Sequence, residues 1–188
     1  MIQKNSLYLQ SKSEFGMIRT LAISLVMLCL LPAQSIGQSA LGFELRKEHD
    51  SLYWLNDWRL AHPVYQFQTG DVDGDGREDA MVGVIKKTRF YPMGKRLFIF
   101  KQIDGTNPKG EACKKVRPMW LGSKLGGILE DFRYVAPAEG DSLGRIRALE
   151  STTDSLYVVS DYKWSGFGMK FERFVIKGVD KETALKNL

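Results

Sequence analysis

Asp71-Val72-Asp73-Gly74-Asp75-Gly76-Arg77-Glu78-Asp79, followed by Ala80-Met81-Val82-Gly83-Val84-Ile85, is the stretch that decides how this chain folds. Its loop half carries aspartates at positions 1, 3, 5 and 9 and glycines at positions 4 and 6. Carboxylates crowded this closely repel one another unless a hard cation gathers them. Calcium suits them best, because it accepts six to eight oxygen ligands in a flexible shell. The expected ligands are the carboxylates of Asp71, Asp73, Asp75 and Asp79, with the Arg77 carbonyl as a fifth direction. Gly74 and Gly76 let the backbone curl tightly enough for these groups to converge. The second half is apolar on both faces and predicts a strand covered on both sides.

An EF-hand is the first competitor, since it shares positions 1, 3, 5 and the glycine at 6. It also requires a glutamate at position 12 and helical flanks. Position 12 here is Val82, and the flanks have β texture, so that reading fails.

Outward from the loop, the β rhythm continues. Val64 to Thr69 alternates, with Tyr65 and Phe67 expected on one face and Gln66 and Gln68 on the other. Leu97 to Phe100 and Val116 to Leu121 read as strands. Phe132 to Val135, Arg145 to Leu149, Leu156 to Tyr162 and Lys170 to Ile176 repeat the rhythm, the last two joined by the turn Trp164-Ser165-Gly166-Phe167-Gly168. The expectation is an all-β protein: seven to eight antiparallel strands in two blade-like sheets, a partial propeller or a compact β-sandwich, with short helical segments at the termini.

The wider stretch Phe67 to Gly83 resembles the calcium-loop repeat of the FG-GAP and VCBS families, which include the integrin α-subunit propeller. The resemblance implies a loop between the first two strands of a blade, with Asp71, Asp73, Asp75, Arg77 (through its carbonyl) and Asp79 as ligands. The second unit departs from the pattern. Ala136 to Gly144 has too few acids, wrongly spaced, for a second loop. Two units also cannot close a propeller, which needs at least four blades.

The 188 residues, 44% hydrophobic, are enough for a real core and exclude global disorder. Basic residues are scattered among acids without a Lys/Arg block, which argues against a nucleic-acid partner. Residues 17–37 read as a secretory signal: Arg19 opens it, Leu21 to Leu31 is the apolar run, and Pro32-Ala33-Gln34-Ser35 breaks it. The competing reading is a buried helix. Residues 1–16 are a polar extension ahead of Met17. Removal of the signal would leave no membrane span and an extracytoplasmic protein, periplasmic, envelope-associated or secreted. Its charge would be about +3. Cys29 follows bulky Leu28, a poor lipidation context, and Cys113 lies in what reads as a charged loop. The organisation that follows is an arm at 38–62, a β domain at 63–178 made of units 63–127 and 128–178, and a tail at 179–188.

Trp120 and Trp164 stand at expected loop edges, and Tyr162 ends the strand before Trp164; exposed aromatic rings of this kind stack on sugars or anchor protein interfaces. Core packing is the competing reading for each. His49 and His62 show no nucleophile or metal-pair spacing. The leading function is a non-catalytic calcium-binding module for protein or carbohydrate partners at the cell envelope. Alternatives are a glycan hydrolase, which would need a pair such as Glu130 and Asp131 with Glu150 or Asp161, or a structural subunit of an envelope assembly. The unclosed blades leave self-association open.

Overall fold

The computed structural model describes residues 42–87, 92–122, 125–152 and 154–188. The extension at 1–16, the signal at 17–37 and the first four residues of the arm lie outside the described residues. Among those described, eleven strands build three antiparallel sheets. The N-terminal sheet is β1 (Leu45–His49), β2 (Leu52–Leu55) and β3 (Trp58–Leu60). The middle sheet is the meander β4 (Val64–Gly70), β5 (Asp79–Lys86), β6 (Gly94–Thr106) and β7 (Ala112–Trp120). The C-terminal sheet is a second meander of β8 (Ile128–Val135), β9 (Arg145–Ser151), β10 (Tyr157–Trp164) and β11 (Met169–Val179). The all-β expectation of blade-like sheets therefore describes the chain from Val64 onward. A short helix α1 (Lys181–Lys186) follows, with Asp180 capping it by accepting from the Thr183 N–H.

The arm is the main surprise. It reads as a short helix or irregular segment, yet it forms a three-stranded sheet. The hairpin between β2 and β3 turns at Asn56-Asp57, with Asn56 at a φ of 51°, a left-handed conformation that asparagine tolerates. The Asn56 side chain accepts from the Glu44 N–H (2.7 Å) and donates to the Gly42 carbonyl (3.2 Å). Asp57 accepts from the Val116 N–H of β7 at 2.8 Å, tying this sheet to the next. Leu55 and Leu60 then bury against the middle sheet.

Three apolar layers hold the sheets together. Ala80, Val82, Val84, Phe98 and Phe100 on one face of the middle sheet meet Leu55 and Leu60. Met81, Leu97 and Ile99 on its other face meet Phe132, Ile146, Ala148 and Tyr162 of the C-terminal sheet. The far face of that sheet packs Leu149 and Val159 against Ala184 of α1. Strand β5 is thus covered on both sides, as its continuous apolar run requires.

The alternation expected for β4 breaks at its start. A register irregularity between Val64 and Gln66 moves Tyr65 to the same side as the glutamines, while Phe67 packs on the opposite layer. Tyr65 lies flat on Gly83, where a Cβ would stand 2.6 Å from its ring, and meets Phe132 edge-on at 6.4 Å.

Gln66 and Gln68 are not solvated. Both side-chain amides donate to the Phe132 carbonyl (2.7 and 3.2 Å), and the Gln68 side-chain carbonyl accepts from the Tyr134 N–H (2.8 Å). Strand β8 is an edge of its sheet, so its outward backbone groups need partners once they are covered. The two glutamines of β4 supply them. Replacing Gln68 with alanine leaves the Tyr134 N–H without its acceptor and should cost about 1–3 kcal/mol. Gln66→Ala should cost less, since Gln68 still serves the Phe132 carbonyl. Urea unfolding midpoints measure both, and an unshifted midpoint for Gln68→Ala would rule out this closure.

Candidate metal centre

The acidic loop joins β4 to β5. Asp71 Oδ1 accepts from the N–H groups of Gly74 (2.7 Å) and Asp75 (3.1 Å), and its Oδ2 from that of Gly76 (2.9 Å). Gly74 and Gly76 have φ values of 75° and 80°, the left-handed turns that curl the loop. Asp79 is the first residue of β5 and only 1% exposed. Its Oδ2 accepts from the Val72 N–H at 3.0 Å, and Val72 itself is buried in the layer between the two larger sheets. One apolar residue therefore anchors the loop while its neighbours on either side point carboxylates inward.

Asp71, Asp73 and Asp79 each offer an oxygen, and these oxygens lie within 4.8 Å of one another. Burial pushes the Asp79 carboxyl up to about 7, and the charge of Asp73 adds to the rise. Asp75 is arranged differently: Oδ1 accepts from the Arg77 N–H at 2.9 Å, and Oδ2 faces Lys101 at 3.2 Å. Glu78 points away and accepts from the Thr69 hydroxyl.

Lys101 is the residue that sequence reasoning missed. It follows the apolar core of β6, and its ammonium reaches Asp73 (2.5 Å) and Asp75 (3.2 Å). Hydrogen bonding to Asp73 holds its pKa above the usual lysine value. No local signal could reveal it, because it is 26 residues or more from its partners in sequence and is brought there by pairing of β6 with β5. One ammonium against four aspartates leaves the loop rich in hard oxygen donors, a set that fits a divalent cation.

The loop also touches the other meander. The Tyr134 hydroxyl donates to the Asp71 carbonyl at 2.8 Å. A Cβ at Gly74 would stand 2.6 Å from Leu143 and 3.0 Å from the Ser142 carbonyl. The segment Ala136 to Gly144, which cannot form a second acidic loop, thus forms a wall for the first.

The aromatic candidates divide. Tyr162 is 3% exposed and belongs to the core. Trp120 and Trp164 are half-buried and pack against that core. Trp164 borders a shallow groove of about 530 Å³ with Leu143, Lys163 and Lys170. Cys113 lies in strand β7 opposite Gly105, not in a loop, and is a free thiol. His62 meets Phe98 edge-on, and burial lowers its pKa; His49 lies near Ser51 on the surface.

The four carboxylates of the hydrolase alternative each have hydrogen-bond partners in the fold, Asp131 accepting from the Phe132 N–H at 2.9 Å. Glu130 accepts from the Ser151 hydroxyl and Glu150 from Tyr162. Asp161 is fully buried and held by Arg147 (2.8 and 3.2 Å) and Arg173 (3.0 Å).

No family model, no curated protein and no solved structure matches the chain.

The Asp161 cluster has a pH consequence. Burial pushes its carboxyl up, but hydrogen bonds from Arg147 and Arg173 outweigh this and set the folded pKa below the usual aspartate value. A depressed carboxyl contributes stability that is fully present above the unfolded pKa of about 3.9. That stability is lost as pH falls through the lower folded value. Asp161→Asn should therefore lower stability at neutral pH by about 3 kcal/mol. It should also flatten the fall in stability below pH ~4. Thermal unfolding of both proteins between pH 2 and 7 checks this; parallel curves would refute it.

Proposed function

We propose that this chain is an exported, calcium-binding β module for protein or glycan interaction, without catalysis. The observation that carries the reading is the convergence of Asp71, Asp73 and buried Asp79 on one point at the start of β5. A buried carboxylate facing two others is unfavourable alone and favourable around a cation. Asp75 and the Arg77 carbonyl would complete the shell once Lys101 gives way. The resemblance of residues 67–83 to FG-GAP and VCBS loops supports the choice of calcium.

What calcium would do follows from the loop's contacts. It would tie β4 to β5 and stiffen the surface that meets Tyr134, Ser142 and Leu143 on the other meander. The groove flanked by Leu143, Lys163 and Trp164 adjoins this contact and is where a partner would be presented with a fixed shape. A half-buried tryptophan beside Lys170 and the Lys163–Glu172 ion pair (2.9 Å) offers an aromatic face with polar groups around it, which suits a carbohydrate or a polar protein segment. The apolar run at residues 21–31 supports export. Outside the cytoplasm calcium is abundant, and extracellular modules function with dissociation constants of about 10⁻⁴–10⁻³ M. A hundredfold excess over the dissociation constant would add about 2.7 kcal/mol of stability.

Isothermal titration of the chelator-treated protein should give a calcium heat in that range, with a rise in melting temperature. Asp79→Asn should abolish both. Lys101→Gln removes the competing ammonium and should tighten binding by about tenfold, or ~1.4 kcal/mol. Absence of any calcium heat, with an unchanged melting temperature, would end the metal reading.

A further inference from the structure

Away from the acidic loop, a cleft of about 620 Å³ opens beside β10 and β11, a size typical of small-molecule sites. Glu150 of β9 borders it and is 2% exposed. The partners this carboxylate has among the described residues are neutral. The Gly127 N–H donates to Oε1 at 2.6 Å, and the Tyr162 hydroxyl lies 2.9 Å from Oε2 and 3.1 Å from Oε1. The same hydroxyl accepts from the Gly126 N–H at 2.9 Å. Burial and the Glu150 charge push the Tyr162 phenol up to about 12, so it remains a donor.

The glycine pair is required for this geometry. A Cβ at Gly126 would stand 2.8 Å from the Tyr162 hydroxyl, and one at Gly127 would stand 2.9 Å from Glu150 Cβ. The backbone comes down on the pair and donates its N–H groups, and among the described residues no ammonium or guanidinium pairs with the carboxylate. A carboxylate held this way is costly to bury.

The wall opposite is aromatic. Tyr162 meets Phe171 edge-on at 5.9 Å, and Phe171 meets Phe174 at 4.7 Å. Phe171 is 44% and Phe174 53% exposed, unusual for large apolar rings beside a cavity. Aromatic faces attract cations. The Lys177 ammonium already stands 5.3 Å above the Phe174 ring, so Phe174 uses that chemistry within the fold.

We propose that this cleft binds a small organic cation, an ammonium head beside Glu150 with an apolar body lying on Phe171 and Phe174. An anion would be repelled by Glu150, and a neutral apolar molecule would add no charge to the neutral partners that Glu150 has among the described residues. The site is separate from the acidic loop and shares no residue with it.

Titration with three probes of one shape tests this: 2-phenylethylammonium, 2-phenylethanol and 3-phenylpropionate, followed by ligand-observed nuclear magnetic resonance. The ammonium should bind about tenfold more tightly than the alcohol, and the carboxylate should not bind. Glu150→Gln keeps one carbonyl oxygen, which at the Oε1 position is within reach of both the Gly127 N–H and the Tyr162 hydroxyl, and should reduce the ammonium to the affinity of the alcohol. Phe174→Ala alters an exposed ring, leaves the fold intact and should weaken the ammonium by about threefold or more. Equal binding of ammonium and alcohol overturns the proposal, as does wild-type affinity in folded Glu150→Gln. Should Glu150→Gln fail to fold, unchanged affinity in Phe174→Ala overturns it alone.

Discussion

The hydrogen bonds from Gln66 and Gln68 to the backbone of β8 are the interaction on which the rest of the arrangement depends. Two four-stranded meanders can pack face to face by apolar contact alone, but one of them then covers the bare edge of the other. Covered backbone groups without partners would cancel much of the gain from burying Phe132 and Ile146. The glutamines remove that penalty and set the depth at which the meanders dock. That docking brings Tyr134 onto the Asp71 carbonyl and Leu143 onto Gly74. The acidic loop is therefore shaped by both sheets, though every one of its aspartates comes from one.

Three buried carboxylates show three ways of managing a charge inside a small β protein. Asp161 is neutralised by two arginines from neighbouring strands. Asp79 is held by a backbone N–H and faces further acids, with Lys101 touching Asp73 and Asp75 rather than Asp79 itself. Glu150 has only neutral donors among the described residues. The first arrangement is complete within the chain and reads as structural. The other two have no ion-pair partner of their own among the described residues, and both adjoin openings or loops.

Much of the fold is legible because its signals are local. The continuous apolar run of Ala80 to Ile85, the alternation in β4 and the turn at Ser165 to Gly168 each locate a strand or turn without long-range information. The arm's sheet is not legible locally, because its signal is a two-residue turn, Asn56-Asp57, between strands too short to show a period. Tyr65 departs from the face that strict alternation predicts, because a bulge shifts register by one residue and the period of two inverts at that point. Cys113 lies on an edge strand whose sequence signal is masked by the lysines around it.

By itself the sequence determined the all-β class, the position of the acidic loop and the aspartates within it, because spacing over nine residues constrains where backbone can curl. It did not determine what surrounds them. Lys101 reaches the loop only through the pairing of β6 with β5, and Leu143 only through the docking of two sheets. Glu150 and Tyr162 meet across neighbouring strands, and Gly126 and Gly127 come down on them from the connection between meanders. Those contacts depend on register and sheet packing, which are set by the sum of many weak apolar contacts rather than by any local pattern.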